Sequence, residues 1–169
     1  MSKIKDYIPV VGESVIEELT LLADRLKDKS VQNINSTAVG GGVAEILTRM
    51  LPLLHDLGIK TYWDVIKGDE RFFGITKKIH NALHGVDVGL SPNEKDHFIH
   101  VNRDNKKEIR EDADIVFVHD PQPVALVEEK ERLGKKWVWR CHIDFTNPQE
   151  ETWDLLKWGR RFHMRALWN

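Results

Sequence analysis

The sequence predicts an α/β domain of the Rossmann-like type, with a mainly parallel sheet flanked by helices. Three observations support this fold class. Segments that favour strands alternate with amphipathic helical segments along the chain. Residues 115–118, Ile-Val-Phe-Val, form a wholly apolar run, which is typical of a strand buried on both faces of a parallel sheet. Three consecutive glycines, Gly40, Gly41 and Gly42, follow the first predicted strand and open a helix.

Composition limits the class of protein. The 169 residues suffice for one domain with a core, and 41% hydrophobic with 31% charged residues is typical of a globular chain. A net charge of −2 argues against a nucleic-acid or membrane partner, and no apolar run reaches the ~20 residues of a membrane helix. The amino terminus lacks a signal-peptide core and Cys141 is the single cysteine, so we expect a cytoplasmic protein.

Periodicity and capping signals predict the elements in order. The first half is predicted to contain a leading helix over 13–29, a strand before the glycines, a helix from Val43 to about Leu57 that Pro52 kinks or shortens, a strand over 59–66 and a helix closed by Gly85. The second half is predicted to contain a helix that begins at Ser91–Glu94, a strand over 115–118, a helix from about Val124 to Leu133, a strand over 136–143 and a helix capped at Asn147–Glu150.

The last eleven residues differ from the rest of the chain. Residues 159–169, Gly-Arg-Arg-Phe-His-Met-Arg-Ala-Leu-Trp-Asn, have no strand or helix signature, and His-Met is what a common cloning site encodes. We interpret residues 1–158 as one domain with a leading helix and residues 159–169 as a non-native tail. The chain is therefore expected to be a fragment.

Three strand ends carry the candidate site residues. Ligands of open α/β sheets bind beyond the carboxyl ends of strands, and the ends here carry Gly40–Gly42, His119-Asp120-Pro-Gln122 and Arg140-Cys-His142-Ile-Asp144. Strand alternation places Arg140, His142 and Asp144 on one face and Cys141 on the other, which argues against a Cys141–His142 nucleophile pair.

Each of these signals has a structural alternative. The glycines can form a plain strand-to-helix turn; they match neither a P-loop nor a dinucleotide fingerprint, because no Lys follows and Glu45 replaces the last Gly. His119 and Asp120 can belong to a capped turn stiffened by two prolines, and His142 can be a structural histidine. We expect no metal site, although three pairs have suitable spacing: His80 and His84, His97 and His100, Asp112 and Asp114.

Four motifs together resemble one family. They are Asn35–Glu45, Phe72–Lys77 with His80–Leu83, His119–Pro123 and Trp139–Asp144. In this order they closely resemble the trehalose synthases of the glycosyl-transferring type, which are retaining glycosyltransferases of family four with the GT-B architecture. The resemblance covers roughly residues 31–158.

The resemblance implies an enzyme of two Rossmann-like domains with the active site between them, of which this chain is the N-terminal, acceptor-side domain. Such enzymes join the glucose of a nucleotide diphosphate glucose to free glucose and form α,α-trehalose with retention. Glucose and nucleotide-glucose are then the substrates, this domain binds no cofactor, and a C-terminal nucleotide-binding domain is the missing partner. A homodimer is a further candidate assembly. Without the second domain we expect the chain to be inactive.

The resemblance also implies roles for individual residues. His142 is the expected catalytic residue, placed near the reacting sugar and hydrogen-bonded to the donor glucose. The expected substrate-binding residues are Gly40, Gly41 and Gly42, of which Gly41 and Gly42 face the donor diphosphate with their backbone, and Asp120 and Gln122 in the sugar pocket. Their position at the same strand ends adds His119, Arg140 and Asp144 to this set.

Two other functions remain as alternatives. The chain can be a non-catalytic sugar-binding or interaction domain, which has the same sequence features without turnover. A nucleotide-binding half of an oxidoreductase is disfavoured, because no acidic residue ends the second strand to hold a ribose: Asp64 lies inside that strand and Asp69 beyond it.

Overall fold

The computed structural model describes residues 3–157 and the backbone of residues 165–168. Five parallel strands form one sheet in the order β2-β1-β3-β4-β5. The strands are β1 Ser30–Asn35, β2 Lys60–Val65, β3 Ile115–His119, β4 Lys136–Cys141 and β5 Arg165–Trp168. The helices are α1 Ile8–Val11, α2 Glu13–Asp24, α3 Gly42–Asp56, α4 Glu70–Leu83, α5 Pro92–Asp104, α6 Lys130–Leu133 and α7 Glu150–Leu156, and 3₁₀ turns cover Ile4–Tyr7, Asn105–Glu108 and Val124–Glu129. The predicted α/β class with a parallel sheet is confirmed.

The order in which successive strands are added to the sheet changes direction at β1. The connection from β1 leads to β2 at the sheet edge, whereas the next connection returns past β1 to β3. A crevice opens at such a reversal, outside the carboxyl ends of the two diverging strands. In the registers that flank this crevice, Ile34 of β1 pairs with Val118 of β3, and His119 of β3 pairs with Arg140 of β4.

The two faces of the sheet are covered to different extents. Val116 and Val118 are fully buried in the main core, which also contains side chains of α4, α5 and α7. Ile115 and Phe117, on the opposite face, are only half-buried. The prediction that residues 115–118 are buried on both faces is therefore wrong for two of the four. Right-handed connections put α4 to α7 on one face and α3 on the other, because β1 to β2 runs opposite to the later connections.

Helix α3 continues through its internal proline. Pro52 was expected to kink or shorten this helix, but α3 extends to Asp56. A proline removes one helical hydrogen bond, and packing of the buried side of the helix outweighs that loss. The predicted helix end is confirmed: Gly58 has φ 79°, and the amide of Ile59 donates to the carbonyl of Leu54 at 2.9 Å.

Four other predicted boundaries differ from the structure. The leading helix ends at Asp24 and not at residue 29. The predicted helix over 124–133 begins instead as a 3₁₀ turn over Val124–Glu129, in which the amide of Leu126 donates to the carbonyl of Pro123. Strand β4 ends at Cys141 rather than 143, because the next amide, that of His142, donates to a carboxylate at 2.9 Å and leaves the strand ladder.

The fourth boundary concerns the last described helix. A helix capped by Asn147 was predicted, but α7 begins at Glu150 with Gln149 as N-cap. The backbone amide of Gln149 donates to the carbonyl of Ala82 at 2.9 Å, and its side chain donates to the carbonyl of Gly85 at 3.3 Å. These bonds hold the preceding turn against the end of α4 and delay the start of the helix.

The tail contains a strand that the sequence analysis did not predict. The backbone of residues 165–168 forms β5, which pairs in parallel with β4 from Val138↔Arg165 to Cys141↔Trp168. Residues 158–164 and 169 lie outside the described residues. The expected absence of a strand after Gly159 is wrong, and the non-native origin of residues 159–169 stays a prediction. Within the described part, no helix is long and apolar enough to cross a bilayer.

Candidate functional site

Three loops meet the crevice at the carboxyl edge of the sheet. They follow β1, β3 and β4, which are adjacent in the sheet, and the predicted site residues lie in these loops or at the strand ends next to them: His119 is the last residue of β3 and Arg140 lies near the end of β4. The β3 and β4 loops contact each other directly. The glycine loop lies beside them, on the β1 side of the crevice.

The glycine loop combines two properties of an anion-binding backbone. Gly40 and Gly41 have φ of 74° and 80°, a region that side chains rarely adopt, so glycine is required there. A Cβ built on any of the three glycines would meet nothing within 4 Å, so space remains open above the backbone. Gly41 is the N-cap of the fifteen-residue α3 and offers no side chain to its first N–H groups. The loop can therefore receive an anion through its backbone.

Asp120 connects the β3 loop to the end of β4. Its φ of 61° is unusual for a residue other than glycine and is the one such value among the described residues. Its amide donates to the carbonyl of Arg140 at 2.8 Å, its carbonyl accepts from the indole of Trp139 at 2.8 Å, and Oδ1 accepts from the amide of His142 at 2.9 Å. These three bonds hold the backbone in its strained conformation, and one of them fixes His142 at the edge of β4.

His119 is a buried neutral imidazole. It is 1% exposed, and its Nε2 lies 3.1 Å from Oδ1 of Asn33. Burial is the main cause that lowers the pKa of His119 to about 3, and the nearby His142 and Arg140 lower it further. Its Nδ1 is buried and has no hydrogen-bond partner among the described residues.

His142 lies next to His119. The two rings are nearly parallel, with an angle of 17° and centroids 6.5 Å apart. Burial and the charge of Arg140 lower the pKa of His142, and the carboxylate of Asp120 partly opposes this. Its Nε2 is buried and unpartnered within the described part of the chain. Both imidazoles are therefore held in the neutral form at neutral pH.

Cys141 and Asp144 do not belong to the pair His119 and His142, which we call the histidine cluster. Burial raises the pKa of the Cys141 thiol to about 12, so it stays protonated and cannot serve as a nucleophile. Asp144 is exposed beyond the end of β4, and its Oδ1 accepts from the amide and hydroxyl of Thr146 at 2.9 and 2.6 Å. These bonds lower the pKa of the Asp144 carboxyl. The strand alternation used to group Arg140, His142 and Asp144 on one face ends at Cys141, so it does not apply to His142 or Asp144.

Two buried asparagines on α5 and at its C-terminus hold loops of this edge from behind. Asn102, fully buried, donates to the carbonyl of Gln122 at 3.0 Å. Asn105 donates to the carbonyl of Lys67 and accepts from its amide, both at 2.7 Å, and so fixes the loop after β2. Gln122 keeps a buried, unpartnered Oε1 among the described atoms. The loops after β2 and β3 are thus attached to one helix.

The comparisons with known proteins give the family. A family model described as "Trehalose synthase, N-terminal domain" matches residues 33–161, which is more than half of the chain. The chain belongs to this trehalose synthase N-terminal domain family. The family resemblance found in the sequence is therefore confirmed, and the matched range contains the glycine loop and both histidines.

Individual relatives of this family agree. The chain is 44% identical over 157 residues to a trehalose synthase of Pyrococcus horikoshii, covering 92% of this chain and 38% of that protein. It is 41% identical over 156 residues to a trehalose synthase of Rubrobacter xylanophilus, with 89% and 38% covered. A trehalose phosphorylase of Pleurotus sajor-caju is 31% identical over 176 residues, with 90% and 23% covered. The chain thus spans about two fifths of the length of these synthases, and its relatives support a glycosyl-transfer enzyme family.

Buried amides that organise the site were not predicted from the sequence. Asn33 and Asn35 are each 2% exposed, and Asn102 and Asn105 are 0% and 3% exposed. The available signal was the presence of polar amides inside otherwise apolar strand and helix patterns, because a buried amide needs specific partners. Asn35 Oδ1, for example, accepts from the indole of Trp63 at 2.8 Å.

The candidate metal pairs are not joined by a third possible ligand among the described residues. Within the described residues, no group of three or more His, Cys, Asp or Glu side chains could hold an ion. The rings of His80 and His84 are 4.7 Å apart on the exposed side of α4. Asp114 accepts from the amide of Ser30 at 2.9 Å at the amino edge of the sheet, opposite the candidate site.

We predict a large structural effect for Asn105→Ala. This change removes the two bonds to the backbone of Lys67 and the buried bond to the carbonyl of Val101 at 2.7 Å, and each such hydrogen bond contributes ~0.5–1.5 kcal/mol. We expect the free energy of unfolding to fall by about 2–4 kcal/mol. Urea denaturation measures it. The matched control is Asn93→Ala on the exposed side of α5, which should change stability by less than ~0.5 kcal/mol; equal effects of the two changes would contradict the assigned role.

We also predict that His119 makes the fold sensitive to acid. Because its pKa falls from 6.5 to about 3 on folding, only the unfolded chain binds its proton between these values. The free energy of unfolding is therefore independent of this group above pH 6.5. It decreases as the pH falls toward 3, by about 1.4 kcal/mol per pH unit. Denaturation of wild type and His119→Gln between pH 7 and 5 measures the difference in slope. His80→Gln, an exposed histidine, is the control; parallel pH profiles of wild type and His119→Gln would contradict the prediction.

Proposed function

We propose that this chain is the acceptor-side, N-terminal part of a retaining glucosyltransferase that makes α,α-trehalose from a nucleotide diphosphate glucose and glucose. The carrying observation is the family match over residues 33–161, joined by relatives named trehalose synthase at 41–44% identity. The site geometry supports it, since His119 at the end of β3, His142 just after β4 and the glycine loop border one crevice of the sheet.

In the proposed reaction, the bond between the anomeric carbon and the diphosphate oxygen breaks. A bond from that carbon to a hydroxyl oxygen of free glucose forms, and the proton of that hydroxyl goes to the departing nucleotide diphosphate. Negative charge develops on the diphosphate while positive charge develops on the sugar ring. The residues of this domain bind and orient these groups, and the donor is a substrate rather than a resident cofactor.

The glycine loop is proposed to face the donor diphosphate. The backbone at Gly41 and Gly42 opens α3, whose positive dipole end and free N–H groups favour an anion. The space above the three glycines would be filled by side chains at these positions, and the φ of Gly40 and Gly41 would strain them.

The histidine cluster is proposed to bind the sugars. His142, held by Asp120 and kept neutral, can hydrogen-bond a hydroxyl of the donor glucose without adding a cation beside the developing positive charge. We assign the catalytic role to His142 and the sugar pocket to Asp120 and Gln122. His119 and Arg140 line the same edge, and Asp144 at its exposed rim completes the proposed substrate-binding set.

The remaining parts of the proposal concern partners and location. The second, nucleotide-binding domain of the relatives is the expected partner, because the chain spans 38% of the Pyrococcus horikoshii synthase. A homodimer and a cytoplasmic location belong to the same proposal. The similarity to a trehalose phosphorylase favours a second candidate reaction at this site, in which trehalose is cleaved by phosphate.

A chimera tests the proposed function. Residues 3–157 of this chain replace the corresponding part of the Pyrococcus horikoshii synthase, and trehalose is measured after incubation with UDP-glucose or ADP-glucose and glucose. We expect α,α-trehalose to form with one of the two donors. Trehalose cleavage by phosphate without synthesis would favour the phosphorylase reaction. A folded chimera that binds glucose but catalyses neither reaction would favour the non-catalytic sugar-binding alternative.

A further inference from the structure

The amide of Asn33 has only one orientation that satisfies its neighbours. Its Nδ2 lies 3.3 Å from the carbonyl oxygen of Tyr62, which can only accept a hydrogen bond. The NH₂ group must therefore face Tyr62, and Oδ1 faces the ring of His119 at 3.1 Å. Because Asn33 is 2% exposed, solvent does not compete for these groups.

This orientation determines the tautomer of His119. A carbonyl oxygen faces Nε2, so Nε2 must carry the hydrogen and the neutral ring has its lone pair on Nδ1. The two nitrogens of an imidazole point widely apart, so Nδ1 faces away from Asn33. On that side lie Arg140 of β4 and His142 just after the strand, the two charged or titratable groups that act on His119.

Among the described residues, two buried ring nitrogens, one at the end of β3 and one just after β4, have no hydrogen-bond partner. They are Nδ1 of His119 and Nε2 of His142, in rings whose centroids are 6.5 Å apart. The first can only accept a hydrogen bond. A carboxylate or a fully ionised phosphate has no hydrogen to donate to it. A hydroxyl group both donates and accepts, so one hydroxyl can satisfy the two nitrogens together.

We propose that His119 and His142 bind one sugar hydroxyl between them, with His119 Nδ1 as its acceptor and Asn33 as the positioning residue that sets this polarity. The proposal rests on the proposed function, because it specifies which groups of this domain form hydrogen bonds with the sugar. The hydroxyl donates its hydrogen to His119 Nδ1, and its oxygen accepts the hydrogen of His142 Nε2. Asp120 supports the arrangement by holding the amide of His142.

Histidine nitrogen resonances test the proposal on the 169-residue chain itself. In protein labelled with ¹⁵N-histidine, a long-range ¹H–¹⁵N spectrum at pH 7 distinguishes the two tautomers. We expect His119 as the Nε2–H tautomer, and we expect the Nδ1 resonance of His119 to shift on titration with D-glucose or with UDP-glucose. A Nδ1–H tautomer overturns the proposal, and so does a His119 resonance that responds to neither sugar, which would mean that only water occupies the site.

Two variants of His119 provide a matched pair. Gln places its amide near the position of Nε2 and can keep the bond to Asn33, whereas Asn places its amide near Nδ1. We expect His119→Gln to remain folded and to bind the responding sugar about tenfold more weakly, and His119→Asn to retain more of this binding. Equal affinity of wild type and His119→Gln overturns the proposal. If a variant does not fold, the wild-type tautomer and titration still decide. Failure of the chimera to make trehalose, with a positive titration, would reject the proposed reaction and leave the hydroxyl site in place.

Discussion

The 169-residue chain alone is expected to form no detectable trehalose from nucleotide-glucose and glucose. Stabilisation of charge that develops in the transition state is usually the largest catalytic contribution, and here the leaving diphosphate needs it most. Among the side chains assigned to the site, Arg140 is the cation, and the chain covers 38% of the length of the Pyrococcus horikoshii synthase. The other stabilisation that these site residues offer to the diphosphate comes from the backbone dipoles of the glycine loop.

Product analysis after long incubation measures this activity, with the full-length Pyrococcus horikoshii synthase as positive control. The same preparation must show a cooperative melting transition, so that inactivity is not due to an unfolded sample. Turnover by the chain at an ordinary enzymatic rate of ~1 s⁻¹ or more would refute the expectation. It would also mean that the described crevice holds donor and acceptor without a second domain.

The second large effect is expected for His142→Ala in the two-domain chimera. The change removes an imidazole at the crevice edge, which is proposed to orient the donor sugar while remaining neutral. We expect kcat/KM to fall by ~10²-fold or more, about 2.7 kcal/mol of transition-state stabilisation. The melting temperature should change little, because His142 is only partly buried and its backbone bond to Asp120 does not depend on the side chain.

A matched histidine distinguishes this role from a structural one. His80→Ala removes an exposed imidazole of α4 and should leave both kcat/KM and the melting temperature nearly unchanged. If His142 is instead a structural histidine, its removal lowers the melting temperature and leaves kcat/KM nearly intact. Steady-state kinetics and thermal unfolding of the same two proteins therefore decide between the roles.

Local patterns predicted most of the framework on which the site is built. The strand before the glycines, the helix after them and the apolar strand over 115–118 all occur, because alternation, glycine and hydrophobic runs act through neighbouring residues. The capping box at Ser91 and Glu94 also forms, with the Ser91 amide donating to Glu94 at 2.8 Å. The edge at which the loops meet followed from parallel topology.

Features set by distant partners could not be predicted in this way. Strand β4 stops where Asp120, more than twenty residues away in sequence, takes the amide of His142. The state of His119 depends on Asn33, which is 86 positions away. Each of these is a tertiary hydrogen bond, and no local pattern in the sequence records it.

The attachment of two loops to one helix restricts where insertions can be accepted. Asn102 and Asn105 are three positions apart, so they project from the same side of α5 and its terminal turn and reach the loops after β3 and β2 together. One extra residue between them would turn the second asparagine by about 100° around the helix axis and release its loop. Extra residues elsewhere in the two loops, outside the attachment points Lys67 and Gln122, would leave both attachments in place. Natural variation in loop length is therefore expected beyond these two residues, with the distance between the asparagines held constant.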